Sequence, residues 1–248
     1  MAARTLLAAD LHLDPARPAT TALATRFVES ARGARALWLL GDLFEAWIGD
    51  DAFDAVADAP IRGFAGALGE FAASGTAVHL MHGNRDFLLG DAFAARVGAT
   101  LHREDETLVE LGAERTLLLH GDTLCTGDLE YQRLRPLVRS APWQAEQLAK
   151  GVDERLGLAR ALRADGGRDD VPIVDVDPAT VEARFAATGA TLMVHGHVHR
   201  PAEHAGPIGA DGRRARRLVV GDWHPGGATV AVADARGVWL ERFEPGGG

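Results

Sequence analysis

The chain of 248 residues has a single cysteine, Cys125, so no intrachain disulfide can form and a thiolate zinc site, which needs several sulfurs, is excluded. A reducing cytoplasm is the setting this implies. An excess of basic charge is also lacking. The 26 Lys and Arg residues against 35 Asp and Glu leave a formal net charge of -9, which repels a phosphate backbone, so no general nucleic-acid partner is expected. Lysine is nearly absent, Lys150 being the only one, and no function is attached to that. Nowhere does an uncharged apolar run approach the ~18 residues of a membrane span. The apolar stretch near the start meets Asp10 too early to form the core of a secretory signal. What is present is ordinary globular composition: 47% hydrophobic and 25% charged residues disfavour disorder and predict a buried core, taken as one domain over 1–248.

Short apolar runs recur, each closed by a cluster of Gly with Asp, His or Asn. Thr5–Ala9 precedes Asp10, Ala36–Leu40 precedes Gly41-Asp42, and Ala77–Met81 precedes His82-Gly83-Asn84. Thr116–Leu119 precedes His120-Gly121-Asp122, and Thr191–Val194 precedes His195-Gly196-His197. Runs of this length bounded by turn residues predict buried strands. Helical spacing over Thr20–Arg32, Ile61–Ser74 and Phe87–Val97 makes strand and helix alternate, which predicts an α/β layered fold. After residue 208 the pattern changes to Arg214–Val220, Ala228–Ala233 and Val238–Phe243, which predict antiparallel strands completing a sheet.

Every predicted strand delivers its polar cluster at its C-terminal end, the edge where open α/β sheets bind ligands. The clusters are Asp10-x-His12, Gly41-Asp42, Gly83-Asn84-Arg85-Asp86, His120-Gly121-Asp122 and Gly196-His197-Val198-His199. Carboxylate, amide and imidazole are the ligands that hard-to-borderline divalent metals take. One D-x-H or H-x-H pair occurs often by chance; five clusters at five strand ends point to a metal centre. In an extended segment residues i and i+2 project to the same side, so Asp10 with His12, and His197 with His199, can each aim two ligands at one locus.

In that order the motifs D-x-H, GD, GN-x-D, H and GH-x-H resemble the signature of the calcineurin-like metallophosphoesterases. The longer stretches 41–51, 82–90, 120–126, 195–201 and 221–224 are similar to the branch of that family that hydrolyses UDP-2,3-diacylglucosamine in the lipid A pathway. The resemblance implies a sandwich of two mixed β-sheets flanked by helices, with an inserted helical lid. It implies two manganese ions, with Asp10, His12 and His199 on one, Asn84, His120 and His197 on the other, and Asp42 bridging. The implied reaction attacks the α-phosphorus and releases UMP and 2,3-diacylglucosamine 1-phosphate. Asn84, Arg85, Asp128, Tyr131, Arg163 and His197 are the implied substrate contacts, and peripheral attachment to the anionic cytoplasmic face of the inner membrane the implied location. No obligate protein partner is expected.

Arg85 stands where many relatives in the wider superfamily carry a proton-donating His. A guanidinium cannot act as a general acid at neutral pH, so its expected catalytic role is charge stabilisation of phosphoryl oxygens. Asp86, Asp122 and His195 are expected to orient ligand imidazoles. Residues 128–170 read as helical and arginine-rich, with Arg133, Arg135, Arg139, Arg155, Arg160, Arg163 and Arg168 among leucines at helical spacing. Two readings stand: a hairpin that only packs on the domain, or a lid whose arginines face anionic headgroups and whose leucines cover acyl chains. A phosphoesterase for soluble nucleotides or phosphomonoesters would use the same metals with a different lid. A non-catalytic relative would have a broken ligand set, whereas all seven ligands stand here.

Overall fold

The computed structural model describes residues 4–166, 174–209 and 212–246, with side chains described through residue 161 in the first stretch. Four short strands, β1 (Thr5–Ala8), β2 (Ala36–Leu39), β3 (Ala77–Met81) and β4 (Thr100–His102), run parallel side by side. A second sheet contains β5 (Glu106–Leu111), β6 (Glu114–Leu119), β7 (Leu192–His195), β8 (Ala202–Ile208) and β9 (Arg214–Val219), in the order β5-β6-β7-β9-β8. The first sheet is completed by β10 (Gly221–His224), β11 (Gly227–Asp234) and β12 (Gly237–Phe243), with β11 antiparallel to both β1 and β12. Both sheets are therefore mixed, as the resemblance implies.

The apolar runs reflect burial on both strand faces. In β1 and β2, Leu6, Ala8, Leu37 and Leu39 face a core under the helices, while Leu7, Ala36 and Trp38 face the space between the sheets. Leu118, Val194, Leu218 and Ala231 close that space from the other strands. Helix α1 (Pro18–Ser30) and helix α3 (Ala59–Ala73) cover the outer face of the first sheet, and the short α2 (Phe53–Val56) precedes α3. Asp58 caps α3 by accepting from the Ile61 N–H at 3.0 Å, and Ile61, Phe64, Ala65, Leu68 and Phe71 form its buried stripe.

Three differences from the sequence expectations have physical causes. The third helix is only α4 (Asp91–Arg96), because Asp86 takes the Gly83, Asp42 and Leu43 N–H groups and holds residues 83–90 as a loop. The strand at 214–219 does not join β11 and β12; it lies in the second sheet, parallel to β7 and antiparallel to β8. Residues 128–170 begin as three helices rather than two: α5 (Leu129–Val138), α6 (Ala141–Leu148) and α7 (Val152–Gly166). Beyond them, α8 (Pro178–Thr188) is capped by Asp177, which accepts from Thr180 N at 2.9 Å, and leads into β7. Among the described residues no helix is long and apolar enough to cross a membrane.

Candidate metal centre

The loops that follow β1, β2, β3, β6 and β7 meet at one rim of the sandwich. Asp10 N donates to Gly41 O at 3.1 Å and His12 N to Asp42 O at 3.0 Å, so the first two loops continue the parallel pairing past their strands. The second sheet is joined to them by His197 N donating to Asp10 Oδ2 at 2.8 Å. Two glycines make this approach possible. A Cβ on Gly41, whose φ is +94°, would lie 2.6 Å from the Gly83 Cα, and one on Gly196 would collide with Ala9 and the Asp10 carboxylate.

The backbone itself marks the site. The described non-glycine residues with positive φ are Asp10, His12, Asp42, His197, His199 and Asp222, so five of the seven expected metal ligands occupy the left-handed region. Such a conformation costs free energy and persists only where the surroundings over-determine it, which is typical of ligand clamps.

The seven side chains converge. Nε2 of His12 lies 3.1 Å from Nε2 of His199, and Asn84 Oδ1 lies 2.9 Å from both His120 Nε2 and His197 Nδ1. Between these groups sits Asp42 Oδ2, 3.7 Å from His12 Nε2 and 3.6 Å from His120 Nε2. Asp10 Oδ1 is 3.9 Å from both His120 Nδ1 and His199 Nε2. The clusters Asp10, His12, His199 and Asp10, Asp42, His120 each have ligand atoms close enough to hold one metal ion.

The electrostatics fit a cation. Asp10 Oδ1 is buried with no hydrogen-bond partner, which is costly for an anionic oxygen unless an ion meets it. Burial raises the pKa of Asp10 well above the carboxylate range and raises that of Asp42 too, so neither charge is satisfied by protein groups alone. Burial also lowers His197 to about 4 and His199 to about 3, leaving both rings neutral, the form that ligates metal, at physiological pH. His120 is lowered in the same way and donates through Nδ1–H to Leu40 O at 3.0 Å, which turns Nε2 toward the centre. His12 is the exception. Burial opposes its charged form, but the Glu45 carboxylate and the nearby Asp42 and Asp10 outweigh that and raise its pKa.

Glu45 was not among the sequence candidates. Its Oε2 is 2.9 Å from His12 Nδ1 and its Oε1 4.0 Å from the Arg85 guanidinium, so one carboxylate touches both a ligand imidazole and the expected catalytic arginine. Arg85 is held at the backbone, where its N–H donates to Asp42 Oδ1 at 2.7 Å, and its side chain is 34% exposed at the edge of the centre.

The three residues expected to orient ligand rings do something else. Asp86 binds backbone N–H groups of the ligand loops. Asp122 accepts from Tyr131 Oη at 2.6 Å and Arg135 Nε at 2.8 Å. His195 is buried, its Nε2 2.9 Å from Arg217 and its Nδ1 2.8 Å from Gly196 O. The reason is shared: their hydrogen bonds go to backbone groups and to Tyr131, Arg135 and Arg217 instead of to ligand rings. Asp128 caps α5 by accepting from Tyr131 N at 3.1 Å. The Arg163 side chain and Arg168 lie outside the described residues.

Nor do the arginines of this segment all face solvent. Arg135 and Arg139 grip the Asp122 region, and Arg155 is buried, donating to Ile48 O at 2.6 Å and Asp51 Oδ1 at 2.8 Å. Turning outward would cost Arg155 its bidentate pairing with Asp51, Arg135 its bond to Asp122 and Arg139 its bond to Gly83 O, so these three are anchors.

Over 245 residues the chain is 45% identical to UDP-2,3-diacylglucosamine hydrolase of Chromohalobacter salexigens, covering 96% of this chain and 97% of the relative. The chain belongs to the UDP-2,3-diacylglucosamine hydrolase family. Family members of the same name from Xanthomonas oryzae pv. oryzae (44% over 251 residues) and Pseudomonas putida (44% over 246) are each covered to 98%, against 96% of this chain. No protein-family model matches the chain. Among solved structures, vacuolar protein sorting 29 of Cryptosporidium parvum aligns over 98% of this chain and 99% of its own, at 14% identity and a TM-score of 0.43.

Proposed function

We propose that the chain is a metal-dependent hydrolase that cleaves the pyrophosphate of UDP-2,3-diacylglucosamine to UMP and 2,3-diacylglucosamine 1-phosphate, working with two manganese ions. The observation that carries this reading is the convergence of all seven ligand side chains from both sheets on one rim, in a chain 45% identical to a hydrolase of that name. The soluble-substrate alternative has no comparable support.

Asp10, His12 and His199 would hold one cation and Asn84, His120 and His197 the other, with Asp42 shared between them. When bound, such a pair polarises phosphoryl oxygens and acidifies water at neutral pH. The chain supplies the rest. The Arg85 guanidinium stabilises charge on the phosphoryl oxygens, aimed by Glu45 on one side and its own backbone bond to Asp42 on the other. The departing sugar phosphate leaves as an anion, so no side chain has to protonate it.

Substrate with two acyl chains resides in a bilayer, and the chain would meet it as a peripheral protein on the cytoplasmic face of the inner membrane. The helical segment α5–α7 serves as the lid in this reading. Leu129 (61% exposed) and Leu137 (52%), with Leu134 and Leu148, present apolar surface there, and the exposed Arg133 and Arg160 offer positive charge. Tyr131 and Asp128 line its base.

The test is turnover of UDP-2,3-diacylglucosamine in detergent micelles by metal-stripped protein with added manganese, reading UMP. Metal-dependent release of UMP is expected. Release of UDP or uridine instead, or turnover unaffected by stripping, overturns the proposal.

A further inference from the structure

Tyr131 and Arg135 on α5, with Arg139 capping the helix C-terminus, are spaced i, i+4 and i+8 and so fall along one face. That face is fixed to two ligand loops at once. Tyr131 Oη and Arg135 Nε donate to the same oxygen of Asp122, a buried carboxylate two residues after His120. Gln132 Nε2 adds a donation to Asp122 O at 2.8 Å. Arg139 donates to Gly83 O at 2.9 Å, on the residue directly before Asn84, and its guanidinium also comes within 4.0 Å of Asp122. His120 and Asn84 are 2.9 Å apart and belong to the same ligand group, whereas none of these contacts reaches the loops bearing Asp10, His12 or His199.

We infer that this face of α5 is a positioning element for one half of the centre. Its seating sets the spacing of the Asn84 and His120 loops, and thereby the affinity of the Asn84, His120, His197 position for a divalent cation. The Asp10, His12, His199 position is indifferent to it. The inference rests on the two-cation reading above. Its physical basis is that a ligand loop ending in glycines has little stiffness of its own, so a buried, charge-assisted contact one or two residues from the ligand decides where the ligand atom sits.

A second anchor supplies the control. Arg155 on α7 fastens the far end of the helical segment to Ile48 O and Asp51 rather than to the Asn84 or His120 loop itself. Loosening it frees the segment without touching the α5 contacts.

The experiment is calorimetric titration of Mn2+ into the metal-stripped full chain, comparing wild type, Arg139→Met, Arg139→Lys, Tyr131→Phe and Arg155→Met, each first shown to melt cooperatively. Wild type is expected to bind two ions. Arg139→Met should weaken one of the two by ~10–100-fold, the range for outer-shell partners of metal ligands, and leave the other unchanged. Arg139→Lys, which keeps a cationic donor for Gly83 O, should recover most of the loss, and Tyr131→Phe should weaken the same ion by a smaller factor. If Arg139→Met does not fold, Tyr131→Phe alone carries the comparison. Arg155→Met should bind both ions as wild type does. Unchanged isotherms for Arg139→Met and Tyr131→Phe, equal weakening of both ions, or the same loss in Arg155→Met would overturn the inference. A wild-type chain that binds one ion overturns the two-cation reading itself, and the inference with it.

Discussion

Asp42→Asn separates the two demands placed on one carboxylate. In the metal-free protein Asp42 is buried near Asp10 and Asp86, and burial raises the pKa of all three. A carboxylate whose folded pKa lies above its unfolded value destabilises the fold at every pH where it is ionised, and the penalty is relieved only as pH falls through the folded pKa. Asparagine removes that charge, keeps an oxygen for the Arg85 N–H and turns an amide toward His12 and His120. The metal-free variant should therefore melt above the metal-free wild type at pH 7.5. With cations the order reverses. Each ion present at 100 times its dissociation constant stabilises by about 2.7 kcal/mol, so two ions give roughly 5 kcal/mol. For a chain of this size that is roughly 10–20 °C in the midpoint. The variant, lacking the shared ligand, should show little of that rise and less than a tenth of wild-type turnover. Differential scanning calorimetry with and without Mn2+ reads both effects. A metal-free variant that melts lower refutes the argument from buried charge, and an undiminished Mn2+ shift refutes the bridging role.

Arg85→Ala should cut turnover by about 100-fold or more, as loss of a charge-stabilising donor does, while metal content by elemental analysis stays at the wild-type value; parallel loss of metal would reassign the residue. Because the His12 pKa is raised while His197 and His199 fall to about 4 and 3, protons should compete with metal first at His12. Acidification from pH 8 toward 5 should weaken the His12-containing position before the other, and titration at several pH values that showed the reverse order would contradict the assignment. Replacing residues 145–165 by a short linker should abolish hydrolysis of the diacyl substrate yet spare a small chromogenic phosphodiester. It should also reduce binding to anionic vesicles, binding that in the intact chain weakens with added salt. Normal turnover of the lipid by the deleted protein would mean the helices only pack.

The strand ends and all seven converging side chains were legible in the sequence because parallel strands buried on both faces are uninterrupted apolar runs, and glycine-bounded polar clusters stand out after them. The strands β4, β5, β8 and β10 were not. Glu106–Leu111 and Ala202–Ile208 lie at the edges of their sheet, carry polar residues and are held mainly by one neighbour, so no apolar run announces them. Glu45 escaped for a different reason: its value lies in touching His12 and Arg85, residues 33 and 40 positions away, and no local pattern encodes that meeting. Of the arginines in α5–α7, Arg133 and Arg160 are exposed as a lid requires, whereas Arg135, Arg139 and Arg155 turn inward as a packing hairpin would have them, because their partners, Asp122, Gly83 and Asp51, come from loops outside the segment.

Asp10, His12, Asp42 and Asn84 extend from the first sheet, and His120, His197 and His199 from the second. Cations bound among them would thus be a clasp between two leaves that meet largely through apolar side chains. Each cation would draw on both leaves, one on Asp10 and His12 with His199, the other on Asn84 with His120 and His197. Loss of metal would then be a mechanical event as well as a chemical one, since the sandwich would give up a cross-link at that rim.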